Sequence, residues 1–489
     1  MTSIAGSLTV RDLVAALTGT GFPLDLIPPQ KIDSAVVDSR QATSGCLFIA
    51  LRGEHHDGHD YVPEALARGA VAVIAERVPS DASCQALDVR QGAPSPGAGE
   101  VALPLCLIVN DSLEALQQAA AYWRRQHDVQ VIGITGSVGK TTSKEVIAAV
   151  VRQRFCTLKS RGNYNNEIGL PLTLLHLTPE HERVVLEMGM YDLGEIAHLA
   201  HIALPHIGVV TNVGPVHLER LGTIERIAQA KAELPQALPS AQDGGVAVLN
   251  IDDERVQAMA AQTKARVFTY GLTPEADLWA DRIESEGLKG IYFRFHFGLE
   301  AIYARMPLLG RHSVHTALSA ASVGLVEELS WDEILSGLQD QSAQLRLVAV
   351  PGPAGSTLLD DTYNSSPASC FAAFNLLQEI EGRKIAVLGD MYELGQYEKE
   401  AHKLVGRRAC EVVDLLVTVG PLGRLIGQEA LEAGMAAEAV YMVDTNSQAI
   451  DLLRTLIAPA SPGDKVLVKG SRGMEMEAIV AALQKGVAS

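Results

Sequence analysis

The feature that most constrains this chain is a glycine-rich loop at residues 135–142, between an apolar strand predicted over 129–135 and a helix predicted over 143–155. A loop in this position points several backbone N–H groups and the positive end of the helix dipole at one anion. We therefore predict that it binds the phosphates of ATP. The residues concerned are Gly136, Ser137, Val138, Gly139, Lys140, Thr141 and Thr142.

Individual side chains of the loop support this prediction. Gly136 and Gly139 carry no Cβ, so the backbone there can approach a phosphate closely. Lys140 is placed to reach the β- and γ-phosphates, and the Thr141 hydroxyl to ligate Mg²⁺. Ile134 stands where the commoner phosphate loop has its first glycine, so this loop is a variant. Kinases, motors, switches and ligases share such loops, so the loop alone does not define the reaction.

Strands and helices alternate along most of the chain, which predicts an α/β fold with parallel sheets covered by helices. We expect three domains: an N-terminal α/β domain with a linker helix (1–127), a central P-loop domain with a parallel sheet (128–344) and a C-terminal Rossmann-like α/β domain (345–489). In the central domain, alternating Ile291, Phe293 and Phe295 predict an antiparallel excursion within 276–307. Residues 91–100, rich in Gly, Pro and Ala, predict an exposed loop.

The charge of the chain excludes some partners. Its formal charge is −18, from 58 acidic and 40 basic side chains, which disfavours nucleic acid and anionic membranes. No apolar run approaches the about 20 residues of a transmembrane helix, and Arg11 and Asp12 interrupt any secretion signal. Six scattered cysteines form no CxxC or Cys/His cluster, so we expect buried, reduced thiols and a cytoplasmic protein. We also expect a monomer.

Two polar residues follow strands that should neighbour the phosphate loop. Glu187 ends an apolar strand over 184–187, and its carboxylate suits Mg²⁺, which prefers oxygen ligands. His217 lies five residues beyond Asn212, where another strand ends. A strand-capping glutamate and a structural histidine are the simpler interpretations of each residue alone. Their positions near the loop favour a role at the phosphates.

Lys231 has an unusual position for a lysine. Spacings of three and four residues place it on the apolar face of a helix with Ile227 and Leu234. A bare ammonium there is costly unless it is paired, or unless it reacts with CO₂ to form an anionic carbamate that can ligate a metal. From the residues alone, the simpler interpretation is a snorkelling lysine whose ammonium reaches water.

In this order and spacing, the motifs resemble those of the Mur ligases, the ATP-dependent amide-forming enzymes of peptidoglycan precursor synthesis. The resemblance spans essentially the whole chain. Besides the phosphate loop it is carried by Asp38-Ser39-Arg40, Asp57-Gly58-His59-Asp60, Gly162-Asn163-Tyr164-Asn165-Asn166, Asp360-Asp361-Thr362-Tyr363-Asn364 and Gly389-Asp390-Met391-Tyr392-Glu393. One departure concerns the nucleotide base: the family commonly has asparagine where this chain has Ser313 and Thr316.

The resemblance implies roles for particular residues. UDP-sugar and peptide substrates would be bound by Ser39, Arg40, Asn163, Asn165, Asn166, Tyr363, Asn364 and Lys469. ATP would also contact Asp360 and Asp361 from the C-terminal domain. Two Mg²⁺ ions would be held by Thr141, Glu187, His217 and carbamylated Lys231. The catalytic set would be Lys140, Lys231, His217, Glu187 and Arg346.

The resemblance also implies a reaction, in which D-alanyl-D-alanine is joined to UDP-N-acetylmuramoyl-tripeptide through an acyl phosphate made with ATP. Three alternatives remain at this point. A Mur ligase that adds a single amino acid is disfavoured by the segments at 360–364 and 389–393. A folate polyglutamating ligase is disfavoured by the N-terminal domain. A P-loop switch or motor, or a non-catalytic nucleotide-binding module, does not need the Glu187, His217 and Lys231 set.

Overall fold

The computed structural model describes residues 7–19, 22–53, 56–78, 83–90, 101–215, 218–340, 347–457 and 463–484. The loop predicted at 91–100 and two of the predicted catalytic residues, His217 and Arg346, lie outside these ranges. The described residues form three separate sheets. This arrangement confirms the predicted α/β class with mainly parallel sheets.

The first sheet is parallel throughout and lies in the N-terminal part of the chain. In spatial order it is β1-β2-β3-β5-β4, with β1 Ser34–Val36, β2 Cys46–Ile49, β3 Ala72–Ala75, β4 Gln85–Asp88 and β5 Leu105–Ile108. Its helices are α1 Val10–Thr18, α2 Val62–Ala67 and α3 Ser112–Arg125. Asp111 caps α3 by accepting hydrogen bonds from the backbone of Leu113 and Glu114.

The second sheet has nine strands in the order β14-β13-β12-β11-β10-β9-β6-β8-β7. The strands are β6 Gln130–Thr135, β7 Thr157–Lys159, β8 Arg183–Glu187, β9 Ile207–Val210, β10 Val246–Asn250, β11 Arg266–Gly271, β12 Leu278–Ser285, β13 Ile291–Phe297 and β14 Glu300–Met306. Its helices are α4 Lys140–Val151, α5 Gly169–Leu174, α6 Glu195–Ala203, α7 Leu218–Leu221, α8 Ile224–Ala237, α9 Glu254–Gln257, α10 Val314–Val326 and α11 Trp331–Leu338. The hairpins β12–β13 and β13–β14 are antiparallel, which confirms the predicted excursion.

The third sheet has the order β15-β16-β20-β17-β18-β19 and is parallel except for β15. The strands are β15 Val348–Pro351, β16 Thr357–Asp361, β17 Lys384–Gly389, β18 Leu415–Val419, β19 Val440–Val443 and β20 Lys465–Lys469. The helices are α12 Pro367–Glu379, α13 Glu398–Val412, α14 Gly423–Glu432, α15 Asn446–Leu456 and α16 Glu477–Gln484.

The order of the second sheet positions the site. Strand β6 lies between β8 and β9, with Ile134 opposite Glu187 and Thr135 opposite Val210. All three strands are parallel, so their carboxyl ends meet at one edge of the sheet, where ligands bind in open α/β sheets. The residues that follow β6, β8 and β9 are therefore neighbours in space.

The first two sheets share one apolar core, which runs from Leu8 in the N-terminal part to Ala265 in the central part. Trp123 of α3 is fully buried in this core, and its Nε1 donates a hydrogen bond to the carbonyl of Leu177 at 3.1 Å. Helix α3 thus packs on both units. The boundaries proposed at residues 127 and 344 fall between sheets, and residue 344 lies outside the described ranges.

The structure bears on two further expectations, those for the cysteines and for transmembrane helices. All six cysteines are unpaired, but Cys156 is exposed, so the expectation of buried thiols is wrong for that residue. Cys156 lies directly before β7, after the turn that follows α4. None of the helices in the described part of the chain combines the length and apolar character needed to cross a membrane.

Candidate functional site

The residues that directly follow β9 hold the phosphate loop in its conformation. The Ser137 N–H donates to the carbonyl of Asn212 at 3.0 Å, and the Val138 N–H donates to Oδ1 of the same asparagine at 2.9 Å. Gly136 passes so close to Thr211 that a Cβ built on the glycine falls 1.9 Å from the Thr211 hydroxyl oxygen. No larger residue fits at Gly136, because the approach is already at contact distance.

Helix α4 begins at Lys140, three residues earlier than predicted, so the lysine is the first residue of the helix. Gly139 precedes it with a φ of 83°, a left-handed conformation that glycine adopts without strain, and offers no side chain to cap the helix. A Cβ at Gly139 would meet nothing within 4 Å, so the space in front of the helix is open. An open helix N-terminus with no capping side chain fits an anionic phosphate.

The Lys140 side chain folds back over its own loop. Its Nζ donates to the carbonyl of Gly136 at 2.8 Å and to that of Ser137 at 3.3 Å. The ammonium therefore stands beside the anion cradle, where it can neutralise phosphate charge.

Oxygen and amide groups converge next to this lysine. The buried Thr141 hydroxyl donates to Oε2 of Glu187 at 2.8 Å, and the Asn165 side-chain amide donates to Oε1 of the same carboxylate at 2.9 Å. Within the described ranges, no group of three or more His, Cys, Asp or Glu side chains is placed to hold a metal ion. A hydroxyl and one carboxylate still fit Mg²⁺, which in nucleotide sites takes few protein ligands and completes its shell with phosphate oxygens and water.

Lys231 on α8 is 2% exposed and lines the same cavity as Lys140 and Glu187. The predicted burial on the apolar face is confirmed, and the snorkelling interpretation is wrong because the amine does not reach bulk solvent. Within the described part of the chain, no carboxylate pairs with it. Burial, and then the nearby charge of Lys140, hold the pKa of Lys231 well below its usual value. Lys231 is therefore a buried amine beside the phosphate loop whose surroundings favour the uncharged form.

Two cavities flank the phosphate loop and share Ser137 and Gly139 in their walls. The first has a volume of about 600 Å³ and joins central residues to residues of the C-terminal part: Lys140, Asn165, Glu187, Lys231, Tyr363, Tyr392 and Arg472. The second has a volume of about 530 Å³ and is walled by Val138, Thr142, Asn212, Asp252, His315 and Asp361, among others. The loop thus separates two chambers, and both include the C-terminal part.

Comparison with known proteins decides the family. Residues 31–124 match the catalytic domain of the Mur ligase family, residues 134–324 the Mur ligase middle domain, and residues 345–472 the Mur ligase glutamate ligase domain. A UDP-N-acetylmuramoyl-tripeptide–D-alanyl-D-alanine ligase of Synechocystis sp. is 35% identical over 456 residues, which cover 93% of this chain and 92% of the relative. The chain belongs to the Mur ligase family.

Solved structures agree with this assignment. The chain superimposes on MurF from Acinetobacter baumannii with a TM-score of 0.81 and 32% identity, covering 97% of this chain and 98% of that one. MurF ligase from Thermotoga maritima in complex with ADP gives a TM-score of 0.75 and 26% identity, covering 94% of this chain and 98% of that one. The predicted three-part α/β fold is therefore that of a Mur ligase.

In this Mur ligase, two of the C-terminal residues predicted to contact ATP and substrate, Asp361 and Asn364, contact the buried Lys469. Nζ of Lys469 is 2.6 Å from Oδ2 of Asp361 and donates to the carbonyl of Asn364 at 2.8 Å. Lys469 is only 1% exposed, so its ammonium is already engaged. Asp361 and Asn364 also line the second cavity, whereas Oδ1 of Asp360 accepts hydrogen bonds from the backbone and hydroxyl of Thr362. The substrate role of Lys469 stays a prediction.

The predicted UDP-binding residues of the Mur ligase lie apart from both cavities. Ser39 is buried and its hydroxyl donates to Glu64 at 2.8 Å. Arg40 is exposed and paired with Asp38 at 2.8 Å, and the hydrogen bonds from Arg40 lower the pKa of that carboxyl. The structure therefore does not bring Ser39 and Arg40 to the phosphate loop.

The asparagine segment after β7 does reach the site. Asn163 and Asn166 line the first cavity together with Asn165. Oδ1 of Asn166 accepts from the backbone of Gly169 at 2.9 Å, so this side chain also holds the turn into α5. The segment is a wall of the cavity, with only Asn165 bonded to Glu187.

At the second cavity, the departure from the family pattern has a structural counterpart. The Ser313 hydroxyl donates to the carbonyl of Leu309 at 2.8 Å, so it is used within its own turn. Nε2 of His315 lies 2.8 Å from Oδ2 of Asp252. At this end of α10, two hydroxyl residues, Ser313 and Thr316, therefore stand in place of two amides, beside the contact between His315 and Asp252.

Sequence reasoning missed several residues that line the first cavity. Tyr392 and Glu393 lie in a segment that carried the family resemblance, yet no role was predicted for them. Arg472 lies three residues after Lys469, and the lysine was chosen instead. Gln117 comes from the middle of α3, and no motif marks it. Only the folded chain brings these positions to the phosphate loop.

Proposed function

We propose that this Mur ligase joins D-alanyl-D-alanine to UDP-N-acetylmuramoyl-tripeptide at the expense of ATP. The single observation that carries the proposal is the first cavity, which places Lys140, Glu187 and Lys231 in one chamber with C-terminal residues such as Tyr363. A nucleotide-hydrolysing switch needs the phosphate loop but not a substrate chamber of about 600 Å³ next to it. The name of the Synechocystis relative gives the substrates.

The first step is phosphoryl transfer. A terminal carboxylate oxygen of the tripeptide attacks the γ-phosphorus, the bond to the β,γ-bridging oxygen breaks, and ADP leaves. Two anions meet in this step, so positioning and charge neutralisation limit its rate. Lys140 supplies positive charge beside the loop, and the open N-terminus of α4 binds the phosphates.

The second step forms the amide. The amine of the dipeptide attacks the acyl carbon, the bond from carbon to the phosphate oxygen breaks, and inorganic phosphate leaves with a proton lost from the amine. Water would hydrolyse the acyl phosphate, so the chamber must be covered. The C-terminal part supplies Tyr363, Tyr392 and Arg472 to the wall of this chamber.

We assign Thr141 and Glu187 to a Mg²⁺ site, because their oxygens converge beside Lys140. When bound, Mg²⁺ supplies charge for the phosphate oxygens. A second ion would be held by His217, Glu187 and a carbamate on Lys231. In carbamate formation, the neutral Nζ forms a bond to the carbon of CO₂ and releases one proton. The lowered pKa of Lys231 supports this assignment because only a neutral amine reacts.

Other residues are assigned by the same reasoning. Residues 1–127 would hold the UDP-sugar through Ser39 and Arg40, residues 128–344 the phosphates and metal, and residues 345–489 the ATP and dipeptide contacts. Arg346 would reach ATP from the C-terminal domain. Both chambers are built from one chain, so we propose that a monomer is active. We also propose that the reaction takes place in the cytoplasm, where ATP is available.

The direct test is phosphate release with each substrate omitted in turn. We expect release only when ATP, UDP-N-acetylmuramoyl-tripeptide and D-alanyl-D-alanine are all present. Offering free amino acids in place of the dipeptide separates this ligase from one that adds a single residue. Steady phosphate release from ATP alone would instead identify a nucleotide-hydrolysing switch and refute the proposal.

A further inference from the structure

Arg472 is a cation of the first cavity that the reaction described above does not use. It follows β20 in a short turn, Arg472–Met474, and its side chain is exposed toward the chamber that contains Lys140 and Lys231. Its guanidinium carbon lies 5.2 Å from the centre of the Tyr363 ring. Stacking on an aromatic face holds a guanidinium in one orientation while its N–H groups stay available.

The charge of Arg472 is not neutralised by another residue in the described part of the chain. In the described ranges no carboxylate pairs with it, whereas Lys469, three residues earlier, is buried against Asp361. Besides His198, the described walls of the first cavity carry three basic side chains, Lys140, Lys231 and Arg472. Lys140 stands at the phosphate loop, and the buried Lys231 is assigned to the metal site. Arg472 is therefore the cation left for another anion.

The incoming substrate brings such an anion. A dipeptide must lose a proton from its amine before attack, while its carboxylate stays charged and must be held away from the reacting carbon. The amine nitrogen and the carboxylate carbon of an extended dipeptide are about 6 Å apart, against about 2.5 Å in a single amino acid. A planar guanidinium binds a carboxylate through two parallel hydrogen bonds.

We propose that Arg472 binds the carboxylate of the incoming dipeptide and so selects a dipeptide over a single amino acid. This inference rests on the proposed function, because it concerns the acceptor of that reaction. Tyr363 acts as a positioning residue that holds the guanidinium. Lys469, which the sequence pointed to, holds Asp361 and the turn at Asn364 in place.

The test crosses an enzyme variant with a substrate variant. Arg472→Gln and the unchanged enzyme are each assayed with D-alanyl-D-alanine and with its C-terminal amide, which lacks the negative charge. In the unchanged enzyme, amidation should lower kcat/KM by about 10- to 100-fold, the effect of losing one charge-assisted hydrogen-bonded pair. In Arg472→Gln the acid should fall to the level of the amide, and the two should become equal.

The kinetic constants locate the effect. KM for the dipeptide should rise in Arg472→Gln, while KM for ATP and for the UDP-linked tripeptide stay the same. Arg472→Lys keeps the charge but loses the two-pronged contact, so it should restore part of the discrimination between acid and amide. Arg454→Gln, at an exposed arginine of α15 far along the same domain, is the matched control and should behave as the unchanged enzyme.

Two results would overturn the inference alone. One is an Arg472→Gln enzyme that still prefers the acid over the amide as strongly as before. The other is a rise in KM for the UDP-linked tripeptide or ATP in place of the dipeptide, which would assign Arg472 to a phosphate or to the tripeptide. An unchanged enzyme that does not turn over D-alanyl-D-alanine at all would overturn the proposed function together with this inference.

Discussion

The Thr141 hydroxyl donates a 2.8 Å hydrogen bond to Oε2 of Glu187, and this bond joins the first turn of α4 to the end of β8. Both residues are almost completely buried, at 3% and 2% exposure. Thr141 directly follows Lys140, the lysine of the phosphate loop. Glu187 lies at the end of β8, the strand next to β6. The contact therefore brings an oxygen pair suited to Mg²⁺ to the place where the terminal phosphate of ATP would lie.

Removing the hydroxyl should damage turnover more than folding. In Thr141→Val the shape is kept but the oxygen is lost, so we expect kcat to fall by about 100- to 1000-fold, the effect typical of losing one group that stabilises transition-state charge. Steady-state kinetics with varied Mg²⁺ measure this, and more Mg²⁺ should be required. Thr141→Ser keeps the hydroxyl and should stay within about tenfold of the unchanged enzyme. Equal kcat in Thr141→Val would contradict the metal assignment.

Lys231 should carry a carbamate. Incubation with ¹³C-labelled bicarbonate should give one ¹³C carbamate resonance that is absent from Lys231→Ala. The same variant should lose most of its activity, and a small carboxylic acid added to the assay should restore part of it by supplying the missing oxygens. Lys264→Ala, at an exposed lysine, should keep both the resonance and the activity. A fully active Lys231→Ala enzyme would rule the carbamate out.

The pair between Lys469 and Asp361 should stabilise the C-terminal domain. Lys469→Met leaves a largely buried carboxylate without its partner, which should lower the free energy of unfolding by about 3 kcal/mol. Adding Asp361→Asn removes the unpaired charge and should recover much of this loss. Denaturant unfolding of both variants gives the two values. If the single and double variants are equally stable, the pair does not have the structural role assigned here.

His402 makes the C-terminal domain sensitive to acid. It is fully buried, its Nε2 accepts the Met391 N–H at 2.9 Å, and its Nδ1 faces the carbonyl of Glu398 at 2.6 Å. Burial lowers the pKa of His402 below its usual 6.5. The unfolded chain therefore binds a proton that the folded chain does not, in the window between the folded pKa and 6.5.

The sign of the effect follows from this difference. The contribution of His402 to stability is complete above pH 6.5 and is lost as the pH falls toward the folded pKa. Unfolding free energies measured across this window should show a smaller pH slope in His402→Gln than in the unchanged protein. Because Met391 begins the segment that carries Tyr392 into the first cavity, the variant should also raise KM for the substrates. An unchanged pH slope would contradict this account.

Much of the fold could be predicted because buried parallel strands are short apolar runs. The strands predicted over 129–135 and 184–187 are β6 and β8, and each prediction is within one residue of the observed bounds. Strands β4 and β11 were not predicted. Residues 85–88 of β4 are mostly exposed at a sheet edge, and β11 mixes buried and exposed residues, so neither has the continuous apolar pattern of a buried strand.

The part of the candidate site that could be predicted consists of residues whose chemistry and position along the sequence both indicate a role. The phosphate loop follows β6, and Glu187 ends β8, the strand that pairs with β6. Lys231 lies at the spacing expected for the buried face of a helix. Arg472 was not predicted, because nothing in its neighbourhood distinguishes it from Lys469. The difference between a buried, paired lysine and an exposed, unpaired arginine appears only when β16 and β20 are brought side by side.

The most direct test of the proposed acyl-phosphate route is to trace one oxygen atom from the tripeptide carboxylate to the released phosphate. The terminal carboxylate of the UDP-linked tripeptide is labelled with ¹⁸O, the complete reaction is run, and the released phosphate is analysed by mass spectrometry. If the carboxylate attacks the γ-phosphorus and the amine then displaces phosphate, every phosphate released should carry one ¹⁸O atom from the fully labelled carboxylate. Amide product formed together with unlabelled phosphate would contradict the acyl-phosphate route.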